Sequence, residues 1–467
     1  MYDQTSQSTL AETLIAKQAP EGRTSNFQPG QKIDFRFPTS GGYVDSFASS
    51  TLDFDLDISA GATAGKAYMD PYLGAHGLID RIVVTVGGNI IEDTTNYPLV
   101  YKAMKALHGN IGRENIDLVL SEDVSAFEQS ANRYGNFYGW WGTDKTSAQN
   151  DNITINKTRR YPVRLNLLSC LGSLSGSKYW PSALLDSDIR LEIYLNQKFQ
   201  GMALGNDTMS WQLNNVEFTT TRVRLNTRVI ESLKSSAQSG GVKMIMPGFS
   251  HFQETVTTAA AGGQVAHNLK YSSSASSLKS ILLMFRLAAA QNVANKSSYQ
   301  LVDPLGLEYQ FLIGSTLMPA RPIFDIHDKY RELMRCVGGP VNSLGQRNLI
   351  SKVNYMLPLH DAVPSTSAPA AHMIGQSLEM YADHTLSSQV FSGINAINLT
   401  MQCQLKIASV AASIANLETA YDQRTPENLV SRIGETSGNA AATLYADSIL
   451  VFDRLLNFNG SEVTMSY

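Results

Sequence analysis

At 467 residues the chain is too long for one ordinary β core and suits two domains of about 200 residues or a little more. Hydrophobic residues at 43% allow a sizeable core and exclude a disordered protein, while charged residues at 17% fall below the ~25% of an average domain and suit a surface covered largely by neighbours. The net charge of -4, with Lys and Arg scattered, excludes the concentrated basic patch that grips phosphates, so no sequence-specific nucleic-acid partner is expected.

The first 30 residues read as an N-terminal arm. Thr9-Leu10-Ala11-Glu12 has capping-box spacing, and Leu14 and Ile15 follow before Pro20 and Gly22, so a short amphipathic helix is expected here. Such a helix would lie on its own barrel or touch a neighbouring subunit, with contact to an internal lipid membrane as the lesser alternative. The polar start carries no charged region followed by an apolar core, and no apolar run approaches ~20 residues, so a soluble chain without a secretory signal is expected.

From Gln31 onward the dominant period is two. Leu52, Phe54, Leu56 and Ile58 alternate with Asp53, Asp55 and Asp57, which places all the apolar side chains on one strand face and three carboxylates, solvated or paired, on the other. Val163, Leu165 and Leu167 alternate in the same way, as do Ile189, Leu191, Ile193 and Leu195, and later Leu399, Met401, Cys403 and Leu405. One wet and one dry face per strand marks antiparallel sandwiches and barrels rather than parallel α/β sheets.

Two segments carry helical spacing instead. Val100, Met104 and Leu107 form one stripe, with Pro98 near its start and Gly109 at its stop. Ile326, Tyr330, Leu333 and Val337 form the other, with Asp325 as N-cap and Gly338-Gly339 as the stop. Each follows a strand-rich stretch, Arg81 to Glu92 and Tyr309 to Ile323. Each precedes an irregular stretch and another apolar strand, near Val163 to Leu168 and near Val353 to Leu357. The halves thus share a grammar with a period of roughly 230 residues. The join falls near Leu225, where the strand-like run Trp211 to Ile230 changes phase. The division is 1–30 as an arm, 31–225 as a first barrel and 226–467 as a second. Long connections at Gly109 to Arg160 and Asp361 to Ser388 exceed the ~15 residues usual for structureless loops.

The run from Gly74-Ala75-His76-Gly77-Leu78-Ile79-Asp80-Arg81 through Gly87-Gly88-Asn89-Ile90 to Asn96-Tyr97 resembles the first barrel of double jelly-roll major capsid proteins. So do Tyr43 to Leu52, then Leu167-Leu168-Ser169-Cys170-Leu171-Gly172, Trp180-Pro181, and Asp188 to Ile193; Leu444 to Leu450 resembles the closing strand of the second barrel. The likeness spans roughly residues 31 to 455 as loose patterns in a fixed order, and Gln238 to Asn295 adds little to it. It implies a mainly β chain of two tandem eight-stranded jelly-roll barrels, each with a flanking helix. It implies homotrimers forming pseudo-hexagonal capsomers of an icosahedral virion shell. The partners implied are neighbouring capsomers, minor capsid proteins and penton proteins. The segments 109–160 and 361–388 are candidates for outward towers.

No catalytic, cofactor-binding or metal-binding residue is expected. His76, His108, His251, His267, His327, His360, His372 and His384 show no HxH or HExxH pair, and the 12-residue spacing of His360, His372 and His384 reads as coincidence. Cys170, Cys336 and Cys403 are far apart and odd in number, matching a reducing compartment rather than a disulfide framework. Asp53, Asp55 and Asp57 could suggest calcium or acid–base work, but at about 7 Å spacing along a strand they are too far apart to share one ion unaided. Trp140-Trp141 could stack on a sugar; a loop anchor or intersubunit contact fits such aromatics better. The sequons beginning at Asn152, Asn156, Asn206, Asn295, Asn398 and Asn459 read as chance. The rival functions are a secreted glycan-active or glycan-binding double jelly-roll protein and a viral receptor-binding spike.

Overall fold

The computed structural model describes residues 12–39, 42–59, 67–68, 73–108, 140–141, 159–176, 178–204, 206–259, 263–294, 298–299, 301–302, 304, 306–336, 373–379, 393–407, 441–459 and 462–466. In chain order the first part holds β1 (Glu12–Gln18), β2 (Lys32–Phe37), β3 (Tyr43–Ser59), β4 (Ala67–Tyr68), β5 (Ile79–Val86), β6 (Asn89–Thr94), helix α1 (Tyr97–His108), β7 (Trp140–Trp141), β8 (Arg159–Leu165), β9 (Ile189–Leu195), β10 (Ala203–Leu204) and β11 (Ser210–Arg224). There follow helix α2 (Thr227–Gly240), β12 (Val242–Thr257), β13 (Val265–Tyr271), β14 (Leu278–Leu287), β15 (Glu308–Ile313), β16 (Thr316–Ile323), helix α3 (Ile326–Arg335), β17 (Ile374–Ser377), β18 (Met401–Ile407), β19 (Thr443–Asn459) and β20 (Glu462–Ser466).

The sheets pair in two identical patterns. In the first half one sheet runs β1-β11-β3-β8 and the facing one β2-β9-β5-β6; in the second half the orders are β12-β19-β14-β17 and β13-β18-β15-β16. Labelled by their order within each half, both sheets read first-eighth-third-sixth and second-seventh-fourth-fifth, which is the jelly roll. The chain is a double jelly roll, mainly β, as its period-two strands predict. β4, β7 and β10 form a small extra sheet, and β20 folds back on the end of β19.

Alternation places the dry faces inside. In the first barrel Phe35 and Phe37 of β2 meet Phe218 of β11 and Phe47 of β3 across the sandwich, with ring centroids 5.7 Å apart for Phe35–Phe218 and 5.9 Å for Phe37–Phe47. In the second, Leu269, Phe311 and Leu405 face Ile281, Leu283 and Phe285. The run Ile281-Leu282-Leu283-Met284-Phe285 abandons alternation because β14 is covered on both sides. Its odd residues enter the barrel core, and Leu282 and Met284 point outward to meet α1. Helix α1 drives Leu99, Val100, Ala103 and Leu107 onto that outer face beside Phe249 and Ile449, and Leu333 of α3 joins the same cluster. Burying each such side chain contributes about 1.5–3 kcal/mol. The two expected helices therefore glue sheets together rather than decorate them.

β12 and β19 are long enough to serve both barrels. Val256, Leu450 and Phe452 lie in the second core, whereas Met244, Met246, Leu456 and Phe458 lie in the first, with Val463 of β20. The Phe458 ring meets the indole of Trp180 edge-on at 5.6 Å.

Two expectations are corrected. The helix expected around Leu14 and Ile15 is strand β1 over its described part, paired from Glu12↔Arg224 to Gln18↔Phe218, because β11 offers a free edge for seven residues of ladder. The strand-like run to Ile230 ends at Arg224; Asn226 then caps α2 by accepting from the Arg228 amide at 3.1 Å. Asp361 to Ser388, too long for a structureless loop, holds β17 on the edge of β14. The strand expected near Val353 to Leu357 and the helix stop at Gly338-Gly339 lie outside the described residues.

Candidate assembly surfaces and the junction between the barrels

The registers fix two ends. One end carries the β5–β6 turn at Gly87-Gly88 and the β15–β16 turn at Gly314-Ser315, and the start of β1, the end of β11 and all of α2 gather there. The ends of β19 and β12 that enter the first core lie at the same level, so the barrels stand side by side pointing the same way. The connections containing 109–139, 337–372 and 408–440 leave from the opposite end, at His108, Cys336 and Ile407. Most of the two tower candidates lies in undescribed residues.

Ten large hydrophobic side chains are exposed among the described residues: Leu14, Ile15, Ile90, Tyr179, Val229, Val293, Leu317, Phe324, Ile397 and Leu399. Only Val293 and Phe324 belong to the loop-bearing end; the other eight sit at or near the turn end. A monomer leaves single hydrophobics scattered. Eight of the ten lie toward one end of the two barrels. Sequence patterning could not reveal this, because the eight come from six separate segments.

The seam between the barrels joins the apolar cluster of α1 with Phe249, Leu282, Met284 and Ile449 to a few buried polar ties. Glu92 of β6 receives the Ser169 hydroxyl at 2.7 Å and the Cys170 amide at 2.8 Å, and Arg454 of β19 lies 3.8 Å from it. Arg454 also donates to the carbonyls of Ile91 and Pro247, so one cation ties three strands. Deeper in the second barrel Asp447 is wholly buried and takes a two-pronged bond from Arg286, at 2.7 and 3.0 Å, with His251 Nε2 at 2.9 Å. Burial alone would push the Asp447 carboxyl up, but the bonds and charges of His251 and Arg286 overcome this and hold it below its usual range. Asp45 shows the opposite balance: burial prevails over the Ser182 and Arg222 bonds and raises its carboxyl.

The residues weighed for chemistry fall apart in space. Asp57 is gripped by Arg160 at 2.7 and 2.9 Å and by Asn214 at 2.7 Å; Asp55 accepts from Asn215 at 2.7 Å and Asp53 from Thr219 at 2.8 Å. The carboxylate face is therefore paired across strands. The Arg160 bond is the main cause that holds Asp57 below its usual range. His76 is buried with Nδ1 2.9 Å from the Tyr97 hydroxyl, its ring stacked on Tyr101 at 3.7 Å, and burial pushes its pKa well down. His267 meets the Thr257 carbonyl at 2.7 Å, and His327 lies in the first turn of α3, where Asp325 caps its amide as expected. His360, His372 and His384, and the side chains of His108, Trp140 and Trp141, lie outside the described residues. Among the described residues no three His, Cys, Asp or Glu side chains converge as metal ligands, and no helix is long and apolar enough to cross a membrane. Cys170 and Cys403 are buried free thiols, both shifted upward chiefly by burial.

No family model and no curated protein matches this sequence. Solved structures do match its fold. The capsid of PBCV-1 virus is similar at 13% identity over 98% of this chain and 97% of that one, with a TM-score of 0.57. The Faustovirus major capsid protein is similar at 10% identity over 96% and 90%, with a TM-score of 0.53, and the mavirus major capsid protein at 11% over 97% and 90%, with 0.51.

Proposed function

We propose that this chain is the major capsid protein of a virus, and that three copies form a pseudo-hexagonal capsomer that tiles an icosahedral shell. One observation carries the reading: two jelly rolls of identical strand order stand side by side in the same orientation. Two like barrels in each of three chains supply six similar walls from one gene product, which is how a threefold assembly fills a near-sixfold lattice. The capsid proteins that share the fold support the same role. The protein then resides in the virion after assembly inside the host cell.

In this reading the working units are 1–30, 31–225 and 226–467, with β1 stitching the first to the second. The turn end, with its eight exposed hydrophobics, meets partners beneath the shell: minor capsid proteins, penton proteins at the vertices, or an internal membrane reached by residues 1–30. Function lies in complementary surfaces, and no residue is given a catalytic, cofactor or metal role.

Size-exclusion chromatography with light scattering, followed by negative-stain microscopy, tests the proposal. A trimer of about 153 kDa with pseudo-hexagonal outline is expected from the 51.0 kDa chain. A monomer that cleaves glycans, or a trimer with a fibrous stalk, would overturn it.

A further inference from the structure

A cavity of about 300 Å³ opens where the barrels meet, lined from the first by Asp80, Asn96 and Gln200 and from the second by residues including His251, Gln253 and Tyr445. Its charge balance is uneven. Arg286 at its wall is already spent: its guanidinium is closed onto Asp447, Gln291 Oε1 at 2.8 Å and the Ser298 carbonyl at 3.1 Å. That buried pair is neutral as a unit. Asp80 is different. A β-bulge between Ile79 and Arg81 at the start of β5 sets Asp80 beside Arg81, whose guanidinium grips Asp93 at 2.7 and 2.6 Å, and Asp80 lines the cavity with no cation bonded to its carboxylate among the described residues. Asp80 is itself exposed to solvent, and partial burial of its carboxyl raises its pKa above the ordinary value, with Arg81 and His251 only partly opposing. The Tyr299 and Tyr445 rings flank the wall, each already facing a cation in Arg286, at 5.5 and 5.9 Å.

We propose that this junction cavity is a binding site for a small organic cation bearing N–H donors, a guanidinium or primary ammonium group. Asp80 supplies the counter-charge, and the Gln200 and Gln253 amide oxygens accept further N–H groups. The volume suits a group of this size and sits at the small end of ligand sites. The group can arrive on a free amine or on an Arg or Lys side chain of an adjoining subunit; the chemistry is shared.

Isothermal titration of the full-length protein with agmatine and with methylguanidinium tests the site, with acetate as the anionic control. One saturable site per chain is expected, with a dissociation constant below ~1 mM. Asp80→Asn is expected to weaken it at least about tenfold. Asp186→Asn, which makes the same charge change in the β8–β9 connection at the turn end, is expected to leave it unaltered. Titration of assembled particles separates the sources: a site still open takes a free amine, and one closed on assembly takes a neighbour's side chain. No saturable binding to the unassembled protein, equal loss in both variants, or full affinity in Asp80→Asn would overturn the proposal.

Discussion

Replacing Arg286 by Met should expose how much the second barrel depends on one buried ion pair. Arg286 and Asp447 are 3% and 0% exposed, and the guanidinium spans both carboxylate oxygens. Removing the cation leaves a buried carboxylate held by His251 alone, and breaking a pair of this kind costs about 3–5 kcal/mol. Spread over a barrel-sized cooperative unit, that is a fall in Tm on the order of 6–20 °C. The pH dependence adds a sharper signature. In the native protein the Asp447 pKa lies below its unfolded value of 3.8, so its contribution is fully present above that value and is lost as pH falls through the folded pKa. Without Arg286 burial pushes the folded pKa above the unfolded one, so the penalty is greatest at neutral pH and shrinks as the pH falls from about 7 towards 5. Urea unfolding followed by near-ultraviolet circular dichroism at both pH values measures this. Adding Asp447→Asn should recover at least half of the loss and remove its pH dependence, because the neutral amide still bonds to His251. A single variant that loses less than about 1 kcal/mol, or a deficit that is the same at both pH values, would refute the reasoning.

Phe458→Ala should cost about 3–5 kcal/mol although Phe458 sits on β19, the eighth strand of the second barrel, because its ring fills the first core against Trp180; tryptophan fluorescence and the melting of both barrels should shift together. Gly241→Ala should destabilise by about 1–3 kcal/mol in differential scanning calorimetry, since Gly241 has φ +78° and a Cβ there would lie 2.1 Å from Asn457 Oδ1. Cys170 and Cys403 should resist alkylation by iodoacetamide near pH 8 until denaturant opens the barrels, because burial both shields them and raises their pKa. Native alkylation at the rate of a free thiol would contradict the packing around them.

Much of the architecture is written locally. A strand with one dry face must alternate, so Leu52 to Ile58 and Ile189 to Leu195 declare themselves from their own neighbours in sequence. Asp325 and the Ile326, Tyr330, Leu333 stripe likewise declare α3. The α2 signal is equally local: Asn226 caps it, Leu233 and Ala237 pack inward, and Gly241 caps its end. The preceding strand, read as continuing to Ile230, obscured it.

What the tertiary structure decided is everything that depends on distant partners. Glu12 to Gln18 is a strand because β11, some two hundred residues away, presents an unpaired edge; capping-box spacing cannot weigh that. The unbroken apolar run of β14 makes sense only once α1 covers its outer face. Asp447 becomes paired through residues 161 and 196 positions away, and Arg81 bonds Asp93, twelve residues on, rather than its neighbour Asp80. Periodicity reports the face a residue shows; it carries no record of what that face meets. Local patterning specifies two mainly β halves of matching order, while their common orientation, the mixed apolar and polar seam between them and the eight hydrophobics toward one end arise from packing, where contacts ignore distance along the chain.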